Sequence, residues 1–464
     1  MSKYDIAVIG AGSGGLVVAL EGSRRGARVA LLENRKVGGE CTHYGCVPSK
    51  ALLATSRVYQ GMKEAPRLGL PQTAPAADFD FCKVMEHVAS VVDGVYLGEQ
   101  PKRLRSERLD VIVHPSGARF QDATHIAIGD DVLEADHVVI ATGSSPRMPV
   151  VDDPDPRHFL NNENFWALRE LPRSIVFLGG GVISVELGQA LSRFGSQVTI
   201  IQRGPRILKA ADQEVGALAT ELLTREGIRV FTDTEVVACD HLDADTIGVT
   251  VDQGGVRKVI ETEAVFAAMG RLANTAGVDL EKAGVEYTGR GIVTNEYLQT
   301  SAPSIYACGD VTSAAKFTHV ASHQARICLD NILEGKQRVN DLSIVPWAIF
   351  SEPEIAHVGL SEAEAHEKGL DVDVFRVGTD SVDRFICESK TTGFVKVVFD
   401  ADERIVGADA IGAHAGEWIQ FFTLAMKTGI EASRLGEMIF IYPTFSEIIQ
   451  KSVTRFLRSK REAR

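Results

Sequence analysis

Two cysteines stand five residues apart in GGECTHYGCVPSK, residues 38–50, and of all the residues in this chain they have the clearest capacity for chemistry. Cys41 and Cys46 belong to a set of only seven cysteines in 464 residues. Such a pair can be a structural bridge, part of a metal site, or a dithiol that cycles with its own disulfide. The chain opens MSKYDIAVIGAG, with no charged start, apolar stretch and cleavage site of a secretory signal. A cytoplasmic setting is expected, and there a close pair is more often catalytic or metal-binding than a stable bridge.

The elements that must position the pair begin upstream of it. YDIAVIG (4–10) reads as a buried parallel strand, and glycines follow at Gly10, Gly12 and Gly15. LVVALEGSRRG then has helical spacing, and ARVALLE is a second strand ending in Glu33, 21 residues past Gly12. Strand, glycine turn, helix and a strand-end acid describe a dinucleotide site. The glycines let the backbone approach a pyrophosphate at the helix N-terminus, and the acid accepts from ribose hydroxyls. The unit recurs in SIVFLGGGVISVELGQALSRFGSQVTIIQR (174–203), with Gly179, Gly181 and Ser184 in the spaced positions. Two such units can hold two dinucleotides, which suggests hydride transfer between them.

Helical stretches are expected at 49–65 and 78–106, then hairpin-like strands around 107–135. VVDDPDP reads as a linker, and SIYACGD (304–310) as a last buried strand. From Val345 onward the pattern turns to antiparallel strands and helices. There GFVKVVFDADERIVGADAIG reads as a hairpin, and GEWIQFFTLAMKTG as a helix with large exposed apolar residues. The expected divisions are a first dinucleotide domain over 1–150 and 271–344, a second over 151–270, and a third domain over 345–464. Mass, 45% apolar content and 24% charged content fit a folded multidomain protein. A net charge of −13 argues against nucleic acid or an anionic membrane as partner. The basic tail RFLRSKREAR reads as a solvated helix end.

These motifs together resemble the FAD-dependent pyridine nucleotide–disulfide oxidoreductases, a family that includes dihydrolipoyl dehydrogenase, glutathione reductase and mercuric reductase. The resemblance runs in family order through GAGSGG, the cysteine motif, ATGSSP, GGGVISVE, MGRLANT, ACGD, FSEPEIAHVG and YPTFSE. It implies an α/β fold with two Rossmann-like dinucleotide-binding domains and a C-terminal α+β dimerisation domain, acting as a homodimer. It implies FAD on Gly10, Gly12, Gly15, Glu33, Lys50, Thr142, Gly143, Ser144, Gly309, Asp310 and His319. NAD(P)H is implied on Gly179, Gly181, Val182, Glu186, Gln202, Arg203, Gly270 and Arg271. Cys46 becomes the flavin-contacting thiolate and Cys41 the exposed thiol that attacks the acceptor, with Lys50 and Glu186 near the chemistry. Zinc is disfavoured, because no second pair stands at ligand spacing. Cys82, Cys239, Cys308, Cys328 and Cys387 read as packing residues.

Three features depart from the family's disulfide reductases. Tyr442 occupies the place of their histidine base, while Glu447 remains; a phenol is a poor base at neutral pH. His43, between the cysteines, is expected to be a solvated loop residue, with a substitute base or a metal ligand as the sharper alternatives. His319 and His323 are expected to pack their helix. At the strand end of the second unit, Gln202 and Arg203 replace the acid of NAD-preferring members, which favours NADPH with NADH possible. The acceptor is then a metal ion, as in mercuric reductases, or a small-molecule disulfide. A quinone reductase or flavin redox sensor is the remaining class. No cysteine follows Cys387, so the terminal pair that delivers mercury in that family is missing.

Overall fold

The computed structural model describes residues 2–71, 79–149, 159–312 and 315–463. The expected linker at 150–156 lies outside the described residues. Strand Ser2–Ile9 is central to a seven-stranded sheet because Ile6, Ala7 and Val8 are apolar on both faces and fully buried. It runs parallel to Val29–Glu33 on one side and to Asp131–Ile140 on the other. Helix Ser13–Arg24 turns Gly14, Val18 and Gly22 inward. A Cβ on Gly22 would lie 3.1 Å from Leu329, so small residues let this helix lie close to helix Thr318–Glu334.

The region expected as hairpins divides in two. Leu109–Val113 joins the sheet edge in parallel to Val29–Glu33, while Ala118–Phe120, His125–Ile128 and Asp131–Ile140 form an antiparallel meander. Strand Ile305–Ala307 returns to the same sheet beside Asp131–Ile140. The second unit builds a five-stranded parallel sheet around Ser174–Leu178, with an antiparallel meander over Glu235–Thr262 attached to it.

The chain ends in a five-stranded antiparallel sheet, in which Phe394–Asp400 and Ile405–Gly412 pair as the expected hairpin. One face packs on helix Ala415–Thr428, and the other carries Ile355 and Ile411 into the core of the second unit. Helix Ala415–Thr428 corrects an expectation: Trp418, Ile419 and Phe422 are buried, and Leu424 is its exposed large apolar residue. The prominent apolar surface lies further on, where Ile439 and Ile441 are 94% and 78% exposed beside Tyr442. No described helix is long and apolar enough to cross a membrane.

Candidate active site

Gly38 and Gly39 turn the chain into the cysteine segment with φ of +105° and +62°. A Cβ on Gly39 would stand 2.6 Å from the Gly12 Cα, so this loop is pressed onto the first glycine turn. Helix Gly39–His43 carries Cys41, and helix Cys46–Glu64 begins at Cys46. Pro48 fits its first turn, where backbone amide hydrogens have no helical partner.

Both cysteines are thiols in this structure. The Cys46 thiol is drawn down to about 6, chiefly by a hydrogen bond from Cys41 and further by the Thr318 hydroxyl and the Lys50 charge, against burial. The same bond, with burial, pushes Cys41 well up. The negative charge therefore belongs on Cys46 and the proton on Cys41. Cys46 is the exposed member and Cys41 the half-buried one, the reverse of the expectation. Cys41 sits within its short helix and Cys46 opens the longer one, and both line the wall of one cavity.

Lys50 Nζ donates to Glu186 Oε2 at 2.8 Å, and Glu186 Oε1 accepts from the Phe350 amide at 2.8 Å. This buried carboxylate ties the cysteine helix, the second unit and the C-terminal sheet together. His43 is neither solvated nor poised as a base or ligand. It is buried, its Nε2 donates to the Val37 carbonyl at 2.8 Å, and its ring meets Tyr96 edge-on at 4.9 Å. Among the described residues, no group of three or more His, Cys, Asp or Glu is assembled to hold a metal.

One cavity of about 1490 Å³ runs along the first unit and past the cysteines, lined among others by Gly12, Glu33, Cys46, Thr142, Gly143 and Asp310. Its size suits an extended cofactor, and the residues around it fit FAD. Gly12 opens helix Ser13–Arg24 with nothing nearer to its would-be Cβ than Gly39 Cα at 4.0 Å. Unpaired helix amides face the cavity there. Glu33 Oε2 accepts from the Ala11 amide at 2.7 Å, which fixes its carboxylate beside the turn. Thr142 Oγ1 donates to the Asn274 carbonyl at 2.7 Å, holding Gly143 at the cavity wall.

Asp310 Oδ2 accepts from Ser144 Oγ at 2.5 Å, and the Gly309 amide donates to Gln324 Oε1 at 2.8 Å. His319 is exposed and lines the cavity, stacked on Phe317, rather than packing its helix. Partial desolvation of the ring holds its imidazole below the ordinary value, and burial does the same for His323. Arg271 lies with the first unit, although it was expected alongside the nicotinamide site: it donates to Ser144 Oγ at 2.7 Å and to Glu40 Oε1 at 3.0 Å. Gly270, at φ +95°, is where the chain crosses back.

In the second unit, Gly181 caps helix Val182–Phe194, and Val182 and Glu186 reach the same cavity. Gln202 Oε1 accepts from the Gly180 amide at 2.9 Å. Arg203 is exposed, with no hydrogen bond or ion pair among the described residues. Arg206 is spent on the Lys209 and Ala211 carbonyls.

Tyr442 and Glu447 line no part of this cavity. The Tyr442 hydroxyl donates to Asp383 Oδ2 at 2.9 Å, which raises its pKa, and Glu447 Oε2 accepts from the Thr444 amide at 3.1 Å. The residue in the base's place and its acid are therefore not paired with each other. Cys387 is exposed, contrary to its reading as a packing residue, while Cys308 and Cys328 are buried. Two cavity residues escaped the sequence reading. Thr318 Oγ1 lies 3.5 Å from Cys46 Sγ, and its one sequence signal was a hydroxyl at the start of a helix. Glu40, beside Cys41, has its carboxyl raised by burial despite Arg271.

The pyridine nucleotide-disulphide oxidoreductase description matches residues 4–325, and its dimerisation domain matches residues 345–453. The chain is 33% identical to a mercuric reductase of Lysinibacillus sphaericus, across 98% of this chain and 83% of that protein. It is 32% identical to a dihydrolipoyl dehydrogenase of Bacillus subtilis, across 97% of this chain and 96% of that one. Among solved structures, the Cu(II) complex of the HOCl-induced flavoprotein disulfide reductase RclA from Escherichia coli aligns with a TM-score of 0.85 at 26% identity, covering 98% of this chain and 100% of the other. LpdA from Mycobacterium tuberculosis shares the fold with a TM-score of 0.89 at 23% identity, covering 98% and 100%.

Proposed function

The chain belongs to the pyridine nucleotide-disulphide oxidoreductase family, as an FAD-dependent NAD(P)H enzyme, and on that premise we propose that its acceptor is a thiophilic metal ion and its electron donor NADPH. FAD, when bound, supplies the relay by which a hydride from the nicotinamide becomes an electron pair for the Cys41–Cys46 disulfide. Gly12 and Glu33 would hold its dinucleotide and Asp310 would anchor it near the cysteines, while the Lys50–Glu186 pair fixes the cysteine helix against the second unit. Each turnover consumes one NADPH, releases NADP⁺ and a proton, and places two electrons on the acceptor. A metal ion such as Hg(II) would be held between the two sulfurs.

One observation carries the choice of metal: among the described residues, neither position that the sequence offers for a base at Cys41 presents a free imidazole. Tyr442 stands in the family's histidine position, and His43 is consumed by the Val37 carbonyl. A disulfide acceptor needs proton transfer at Cys41, whereas a soft metal displaces that proton directly. The named relatives support the reading, one being a mercuric reductase and another a Cu(II) complex. The second reading, a small-disulfide reductase, draws support from the missing terminal cysteine pair. Tyr442 and Glu447 would act in this scheme on the cysteines of a second copy, since the dimerisation domain supports a homodimer.

The test is anaerobic NADPH oxidation with Hg(II), Cu(II) and small disulfides, for wild type, Cys41→Ala, Tyr442→Phe and Tyr442→His. The metal reading expects fast metal turnover, slow disulfide turnover, and loss of both in Cys41→Ala. Tyr442→Phe should slow the metal by about 1–3 kcal/mol of barrier, the scale of one hydrogen bond, and Tyr442→His should raise only the disulfide rate. Ordinary enzymatic rates with small disulfides in wild type would move the assignment to the second reading.

A further inference from the structure

We infer that Thr318 is a catalytic residue that holds the Cys46 thiolate during the interval when Cys41 is bonded to the acceptor. The inference rests on the proposed Cys41–Cys46 redox pair but not on the identity of the acceptor. Thr318 is the first residue of the 17-residue helix Thr318–Glu334, and its hydroxyl lies 3.5 Å from Cys46 Sγ. Threonine near a helix start commonly turns its hydroxyl onto the first free amides. Here Phe317 is the cap residue, and the Thr318 hydroxyl is paired with Cys46 Sγ. It faces the cavity and the two sulfurs.

The importance of this hydroxyl follows from the order of steps. In the reduced pair Cys41 carries S–H and Cys46 is S⁻, and Cys41 is the strongest donor to Cys46. With a disulfide acceptor, the Cys41 sulfur attacks one acceptor sulfur, the acceptor S–S bond breaks, and the leaving thiolate takes the Cys41 proton. Cys46 S⁻ then attacks the Cys41 sulfur and the bond to the acceptor breaks. The second leaving thiolate takes a proton from water, and the Cys41–Cys46 disulfide is restored. The acceptor has gained two electrons and two protons.

Between those two attacks Cys41 has no S–H left to donate, and the same holds when Cys41 is bonded to a metal ion. Lys50 still contributes charge, but its Nζ is 2.8 Å from Glu186 and shared with that carboxylate. Among the described residues, Thr318 is then the remaining hydroxyl donor on the resolving thiolate.

Cys41→Ala holoenzyme reproduces that interval, because it keeps Cys46 and removes the S–H. The measurement is the rate of iodoacetamide alkylation at Cys46 against pH, read by peptide mass spectrometry with FAD content checked by absorbance. Adding Thr318→Val to Cys41→Ala should raise the Cys46 midpoint by about one pH unit, and Thr318→Ser should restore it. In the NADPH-reduced chain with both cysteines, Thr318→Val should move the midpoint less, since Cys41 still donates. Should valine expel FAD, Thr318→Ala carries the same test. An unchanged midpoint in the double variant, or no rescue by serine, overturns the inference. If no acceptor is ever reduced but the midpoint still shifts, the acceptor reading fails and the Thr318 contact stands.

Discussion

Gly10 leaves its strand at φ +102° with a would-be Cβ 2.4 Å from the Ala141 carbonyl oxygen, and Gly179 leaves its strand at φ +108°, 2.5 Å from that of Ala268. The two dinucleotide units share this turn and then diverge. In the first, a Cβ on Gly15 would lie 1.9 Å from the Gly10 oxygen, so the helix touches the turn and excludes any side chain. In the second, Ser184 fits and its hydroxyl donates to the Gly179 oxygen at 2.5 Å. The strand ends differ in charge but share a role. Glu33 accepts from the Ala11 amide, and Gln202 accepts from the Gly180 amide. An amide oxygen replaces a carboxylate oxygen without loss of the backbone bond, and only the charge presented outward changes. Holding the turn and presenting a charge to the cavity are thus separable properties, which Glu33 combines in the first unit.

The sharpest way to break the comparison is to exchange the third position. Gly15→Ser should cost about 3 kcal/mol or more of stability and release FAD. Urea unfolding and the flavin absorbance of the purified protein would report it, and a stable yellow Gly15→Ser protein would show that the close approach is not needed. At the outer edge of the second unit, Arg203→Ala should cut NADPH-over-NADH selectivity in kcat/KM by tenfold to a hundredfold, about 1.5–3 kcal/mol for one charge-assisted phosphate contact. Unaltered selectivity would remove Arg203 from the phosphate site. Gln202→Glu keeps the bond to Gly180 while restoring a charge that repels a 2′-phosphate. It should lower NADPH kcat/KM by about tenfold and leave NADH use intact, and equal losses with both nucleotides would instead mean a damaged turn. Smallest of all, Ser184→Gly should cost only about 1 kcal/mol in unfolding free energy, from the lost hydrogen bond and the freed helix backbone. A loss as large as that of Gly15→Ser would put the two turns under the same constraint after all.

Much of this was legible in the chain. Glycine spacing, buried apolar strands and strand-end side chains report on contacts made within about 30 residues, where covalent connection fixes the geometry. Both units, the cysteine pair and the antiparallel C-terminal sheet could be read for that reason. The errors fall where distant segments meet. His43 looked solvated until helix Phe81–Glu99 brought Tyr96 against its ring. Cys387 looked like a packing residue until its short helix was placed at the surface. Helix Ala415–Thr428 buries the aromatic residues that seemed free for an interface, because a sheet covers them. Arg271 sits inside the MGRLANT motif that follows the second unit's last strand, but the crossing at Gly270 hands it to Glu40 and Ser144 of the first.

The sequence by itself determined the two glycine turns, the redox pair and the family, since each depends on residue types at fixed short separations. The resemblance already named Cys46 as the thiolate, but only the tertiary structure supplies the physical reason. Cys46 is low because Cys41, Thr318 and Lys50 converge on it, and Thr318 arrives from 272 residues away. A thiol's pKa is set by the donors, charges and solvent around its sulfur. That environment is assembled by packing between remote segments, and no local spacing records it.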